Sequence, residues 1–345
     1  KRMVFHEITP AAIAKAVSET RDLDLRLVDA QEGRRFLDRL VGYEVSPVLW
    51  RAVDKARSAG RVQSVAIRLV CERERERMDF TFATWFDVTA AMNTKGNAFE
   101  ATLESVDGSS LATGKNFDAS GVLDAKANVQ VLSEASATSI ASVLPGATVT
   151  VTSVASTPRT QRPQPPFMTS SLQIEASRKL RFDPERTMRA AQRLYEQGWI
   201  TYMRTDSTTL SDEAIRPAGE TFRSLDEAHA QLGGDELAVY DLVWKRTLAS
   251  QMVDARLTQD KVRLESTLRD VTGFDGDVPV GLSATGLRIE FPGFRRAYVE
   301  GTDDPEAELA DQERILPPLA EGEVVPVTGA EAKGHDTQPP DRYSE

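Results

Sequence analysis

The sequence predicts a multidomain α+β chain in which a helical domain is inserted into a β domain. Three observations carry this. The chain starts with helix-periodic segments, strand alternation flanks a second helical block on both sides, and a proline-rich run separates the first β stretch from that block. With 345 residues, the chain is long enough for two or three hydrophobic cores.

Residues 1–77 read as a helical domain. Thr9-Pro10 supplies an N-cap followed by proline at the first helical position. Helices are expected over Ala30–Leu40, Val48–Lys55 and Arg61–Arg77. In the last, Val62, Val65, Ala66, Leu69 and Val70 recur at helical spacing and predict a buried stripe. Cys71, the only cysteine, falls on that stripe and reads as a small core residue. A single cysteine excludes intrachain disulfides, thiolate zinc clusters and CxxC redox chemistry.

Residues 78–160 change period and read as antiparallel sheet. Phe80–Phe86 and Thr148–Thr152 alternate as strands do, with Gly and Asn turns between the runs. The prolines of Pro158–Pro166 are expected to stop regular pairing and to mark a boundary. Residues 161–252 return to helical spacing. Asp183-Pro184 opens a helix carrying Met188, Ala191, Leu194 and Tyr195, Gly198 ends it, and Trp199–Met203 follows as a short strand. Residues 253–323 alternate again, clearest in Lys261–Glu265 and Gly286–Phe291, and 324–345 follow as a last segment.

The formal net charge of −11 argues weakly against a nucleic-acid partner. Binding depends on local surface, however, and two stretches are basic: Arg34–Arg77 and Arg159–Arg204. No apolar run is long enough to span a membrane, and the N-terminal residues contain no apolar signal core. A cytoplasmic location is expected.

The chemistry concentrates in Ile200-Thr201-Tyr202-Met203-Arg204-Thr205-Asp206-Ser207. On extended backbone, Tyr202, Arg204 and Asp206 share a face. A phenol is a weak nucleophile at its ordinary pKa of about 10. A neighbouring guanidinium favours the phenolate and stabilises charge on phosphoryl oxygens. Taken alone, a Tyr and an Arg two apart are more often structural than catalytic.

The octapeptide resembles the active-site motif of type IA DNA topoisomerases. Phe167–Gln173 resembles a second family block. Ala30-Gln31, Arg34–Tyr43 and Ser58–Ser64 resemble two more, and Thr337–Pro340 with Arg342-Tyr343 another, all in family order. Met203 points to the bacterial topoisomerase I branch. The resemblance implies a torus of helical domains joined by a β arch, with 1–77 and 324–345 as the base, 78–160 and 253–323 as the arch, 161–252 as the helical domain carrying Tyr202, and hinge motion near Pro158–Pro166 and Ala249–Ala255. It implies ATP-independent cleavage of one DNA strand by Tyr202 through a 5′-phosphotyrosyl intermediate, with Arg204 at the scissile phosphate. It also implies a DNA groove contacted by Arg35, Arg39, Ser58, Gly60, Arg61, Gln63, Asp206 and Arg342. Single-stranded or negatively supercoiled DNA would be the partner. Phe5, Tyr43 and Trp199 are all candidates for stacking on bases.

The family's magnesium-binding toprim domain and its C-terminal modules are expected outside this chain. Asp22-Leu23-Asp24 and Asp275-Gly276-Asp277 have an Asp-x-Asp spacing but not the family's context, and read as surface acids. No metal ligand is expected within the chain. The connector after Ser211 is shorter than the family's, and Asp212 stands where a family histidine is expected before Glu213-Ala214-Ile215-Arg216-Pro217. Two other readings stay open: a noncatalytic single-strand-binding module, and a tyrosine recombinase. The recombinase would need a histidine in context, and only His6, His229 and His335 are available.

Overall fold

The computed structural model describes residues 1–53, 58–210, 213–299, 301 and 313–343. Helix α1 spans Pro10–Ser18, and the Thr9 hydroxyl accepts from the Ala12 amide at 3.3 Å, as the capping signal predicts. Helix α2 spans Leu25–Ala52, with the Asp24 carboxylate accepting from the Arg26 and Leu27 amides. The two helices expected at Ala30–Leu40 and from Val48 are one continuous helix running through Pro47. A proline removes one intrahelical hydrogen bond, and the helix-compatible residues on both sides carry the helix across it. Lys55 lies outside the described residues.

Helix α3, Arg61–Asp79, forms where expected, but its apolar stripe is not buried. Val62, Val65, Leu69 and Val70 are exposed, and so is Cys71. Within α2 only Ser46 is buried. Periodicity locates an apolar face but does not supply its partner, and among the described residues nothing covers this one.

The β elements form one sheet. Strands β1 (Thr84–Thr94), β2 (Asn97–Val106), β3 (Ser109–Leu111) and β4 (Val129–Gln130) precede helix α4 (Glu134–Val143). Strand β5 (Val149–Gln161) leads away toward the helical block, and β6 (Ala255–Leu268) and β7 (Val278–Phe291) return from it. Strands β8 (Val324–Val325) and β9 (Val327–Asp336) close the set. The order is β4-β3-β2-β7-β6-β5-β8, with β1 pairing both β2 and β9. All pairs are antiparallel except β3 with β4. The strand expected at Phe80 starts only at Thr84. The Thr81 amide instead donates to Ala119, and the Ala83 amide donates to the Thr337 hydroxyl.

Within the run Pro158–Pro166, pairing stops as expected after Gln161, but Pro158 itself does not interrupt β5. Pro158 pairs opposite Thr258, and the register continues to Gln161 opposite Ala255. On its other side β5 pairs with β8 only at Val149 and Thr150, so Pro158 lies on an open edge where its missing N–H breaks no ladder.

Two buried cores result. One lies between the sheet and α4 and includes Val88, Met92, Leu103, Ile140, Leu144, Val262 and Leu264. The other gathers helices α5 (Thr169–Leu180), α6 (Pro184–Glu196), α7 (Leu225–Gln231) and α8 (Gly234–Ser250) around Phe167, Leu172, Leu194, Ile200, Met203 and Tyr240. Ala255, Leu257 and Leu287 of the returning strands belong to this second core.

Candidate active site

The segment after α6 is built by alternation without being a strand. Gly198 takes a left-handed turn (φ 69°), and only an isolated bridge joins Ile200 to Pro217. Thr201 and Met203 are buried, whereas Tyr202, Arg204 and Asp206 are exposed, so the expected shared face is present. Ile200 and Met203 anchor this face in the second core. The Thr201 hydroxyl donates to Ala214 O at 2.6 Å, and the Arg216 amide donates back to it at 3.0 Å.

Tyr202 is 39% exposed. Its ring meets Tyr195 edge-on, with centroids 5.3 Å apart. Burial, and then the neighbouring Tyr202 phenol, push the Tyr195 phenol above its ordinary pKa. Tyr202 is the more exposed phenol of the pair. Its backbone amide donates to His6 O at 2.6 Å. Beside this bond, Glu7 pairs with Arg216 at 3.3 Å and accepts from the Gly219 amide at 2.9 Å. A long-range pair such as Glu7 with Arg216 leaves no signal in a single sequence, and sequence reasoning missed both residues.

Arg204 lines an open groove of about 770 Å³ together with Thr169, Gln173, Pro184, Glu185, Met188, Arg189 and Gln192. Asp206 lines an adjoining depression with Ser170 and Gln173 at the start of α5. Arg189 is paired with Glu185. The Arg204 guanidinium has no hydrogen-bond or ion-pair partner among the described residues. An unpaired cation lining an open groove, two residues along the chain from an exposed phenol, is suited to an anionic ligand.

The other candidates lie in separate patches. Arg35 and Arg39 share one face of α2 and line a groove with Gln31, Arg34 and Asp38, as their spacing predicts. Arg61 pairs with Asp38 at 2.9 Å, which ties the start of α3 to this face. The Ala59 amide, between Ser58 and Gly60, donates to the Ser46 hydroxyl at 3.1 Å. Gln63 folds back toward Gly60, where an added Cβ would lie 2.2 Å from its Oε1. Arg342 forms a two-point pair with Glu74 on α3. The groove of Arg204 and that of Arg35 share no lining residue. Asp212 lies outside the described residues.

The sequence pattern of the family described as DNA topoisomerase matches residues 22–227 and 213–345. The chain belongs to the bacterial type IA DNA topoisomerases. Among curated type IA relatives it is 48% identical over 390 residues to DNA topoisomerase 1 of Mycolicibacterium smegmatis, covering 100% of this chain and 41% of the relative. It is 45% identical over 383 residues to DNA topoisomerase 1 of Synechocystis, again covering 100% and 41%. The chain thus spans about 41% of the length of these relatives. The aligned lengths exceed 345 residues, so the relatives carry residues that have no counterpart here. Full-length topoisomerase I from Thermotoga maritima shares the fold with a TM-score of 0.76 and 31% identity, over 99% of this chain and 56% of that one. As a topoisomerase, the chain has the mixed helix-and-sheet architecture expected from its sequence. No helix among its described residues is long and apolar enough to cross a membrane.

Proposed function

We propose that this chain is the DNA-cleaving body of an ATP-independent topoisomerase that relaxes negatively supercoiled DNA in the cytoplasm. The observation that carries the proposal is the pairing of an exposed Tyr202 with an uncompensated Arg204 on one face of a segment whose buried side chains are fixed in a core.

The phenolic oxygen of Tyr202 attacks a phosphodiester of single-stranded DNA. The bond from phosphorus to the 3′ oxygen breaks, the departing strand takes up the proton as a 3′-hydroxyl, and the 5′-phosphate stays on Tyr202. Arg204 neutralises the phosphoryl oxygens as charge grows on them, and holding both groups in place supplies much of the rate. A second strand passes through the break, and the hydroxyl then attacks the phosphotyrosine. One ester is exchanged for another, so the bond energy is kept and no nucleotide is consumed. Arg35, Arg39, Arg61 and Gln63, with the amides near Ser58 and Gly60, hold the phosphate backbone. Asp206 belongs to the same bound segment. Arg342 joins the contact only after leaving Glu74.

Magnesium is the cofactor implied by the family. Among the described residues no group of three or more His, Cys, Asp or Glu could hold a metal ion. The described residues therefore do not fit that ion. We assign it to a toprim domain outside this chain.

The test is covalent trapping on a labelled single-stranded oligonucleotide, with the protein in full-length form. A 3′-end label should stay with the protein, a 5′-end label should be released, and Tyr202→Phe should abolish the adduct. Retention of the 5′ label would indicate recombinase-type chemistry. Binding without any adduct would favour the noncatalytic single-strand module.

A further inference from the structure

We infer that Thr169 is the positioning residue that aims Arg204, an inference that rests on the reading of Tyr202 as the nucleophile. Thr169 is the first residue of α5 and belongs to a different stretch of chain from Arg204. Its hydroxyl accepts from the Thr205 amide at 2.9 Å. The same hydroxyl lies 2.8 Å from Met203 O and 3.0 Å from Thr205 O, either of which takes its proton. Its own amide donates to Thr205 O at 2.9 Å. The residues on both sides of Arg204 are thus fastened to a single side chain.

Among the described residues nothing else aims Arg204. Its guanidinium has no partner among the described residues, whereas Arg189 in the same groove is held by Glu185. A long side chain without partners can be directed only through its backbone. Thr169 is suited to that task because its β-branched side chain has few rotamers and its hydroxyl both donates and accepts. The support behind it is firm. Phe167 is 1% exposed, and its carbonyl accepts from the Ile215 amide at 2.8 Å. The line of support therefore runs from the second core through Phe167 and Thr169 to the backbone of Arg204.

Removing the hydroxyl should leave the fold intact. The backbone bond from Thr169 N to Thr205 O remains, and the buried neighbours Phe167, Leu172, Ile200 and Met203 are unchanged. What is lost is the fixed register of 203–205, so Arg204 wanders by a fraction of its length. Misplacement of about 1 Å in a catalytic group costs on the order of 10²-fold in rate.

The experiment compares wild type, Thr169→Val and Thr169→Ser in the full-length protein. It measures the rate of Tyr202–DNA adduct formation, affinity for a single-stranded oligonucleotide, and Tm. Thr169→Val should slow adduct formation about 10²-fold while affinity changes less than about threefold, because the lost interaction acts in the transition state and not in the ground state. Thr169→Ser, which keeps the hydroxyl, should recover most of the rate, and Tm should be nearly the same in all three. A wild-type rate in Thr169→Val overturns the inference while leaving the role of Tyr202 standing. An equally defective Thr169→Ser, or a loss of affinity and Tm that matches the loss of rate, overturns it in favour of a merely structural role. Absence of any adduct in the wild type removes the reading of Tyr202 itself, a result distinct from all of these.

Discussion

The backbone amide of Tyr202 donates to the carbonyl of His6 at 2.6 Å, so the reactive segment leans on the N-terminal stretch of the chain. Glu7, next in sequence, closes on Arg216 and the Gly219 amide. Both charged side chains are largely shielded, at 15% and 14% exposure. Glu7→Gln keeps the shape but leaves a shielded guanidinium poorly compensated. A loss of about 1–3 kcal/mol is expected in denaturant unfolding. A double-mutant cycle with Arg216→Gln checks it: additive losses would mean that the two side chains are not coupled.

Gly198 turns the chain between α6 and Tyr202 at φ 69°, and a Cβ there would sit 2.5 Å from Ile8 O. Neither the dihedral nor the carbonyl can adapt cheaply. Gly198→Ala should destabilise the protein by about 1–3 kcal/mol through backbone strain. It should also slow adduct formation, because the movement falls four residues before Tyr202. Thermal melts and the trapping assay read the two effects, and a neutral Tm would count against the close approach.

Tyr240 is fully buried, and its hydroxyl donates to Arg223 O at 2.7 Å. Burial pushes its pKa up to about 12, against an ordinary value near 10. Below pH 10 the phenol is neutral in both the folded and unfolded chain, and its ionisation has no effect on stability. Between about pH 10 and 12 the unfolded chain releases the proton and the folded one does not, so stability falls by about 2–3 kcal/mol. Tyr240→Phe should remove this alkaline slope, and urea midpoints measured across that range test it.

Arg39 faces open solvent on α2 beside Arg35, with no ion-pair partner among the described residues. If it holds a phosphate of single-stranded DNA, Arg39→Ala should weaken binding for every sequence alike. The slope of log K against log salt should flatten by about 0.7. Fluorescence anisotropy titrations at several salt concentrations measure this, and an unchanged slope would remove Arg39 from the interface.

The sequence was most legible where a signal is local. Thr9-Pro10 and Asp183-Pro184 cap helices as read, and the alternation through Tyr202, Arg204 and Asp206 places all three on the exposed face. It was least legible where the outcome depends on a distant partner. The stripe of Val62, Val65, Leu69 and Val70 has the periodicity of a core face, yet it is exposed, because periodicity carries no information about what packs on it. Pro158 looked like a breaker and sits within a ladder, because only the pairing shows which edge of β5 is open. Arg204 was found from its neighbour in sequence. Thr169, which holds it, lies in a block recognised beforehand but given no role, since the contact joins two separate stretches of chain.

Strand β6 gives Val262 and Leu264 to one interior and Ala255 and Leu257 to the other. No slack connector separates them, so neither interior can melt while its neighbour keeps a full set of contacts. Heating should therefore show a single cooperative transition, with the fluorescence of Trp85 in the sheet and of Trp199 among the helices changing at one temperature.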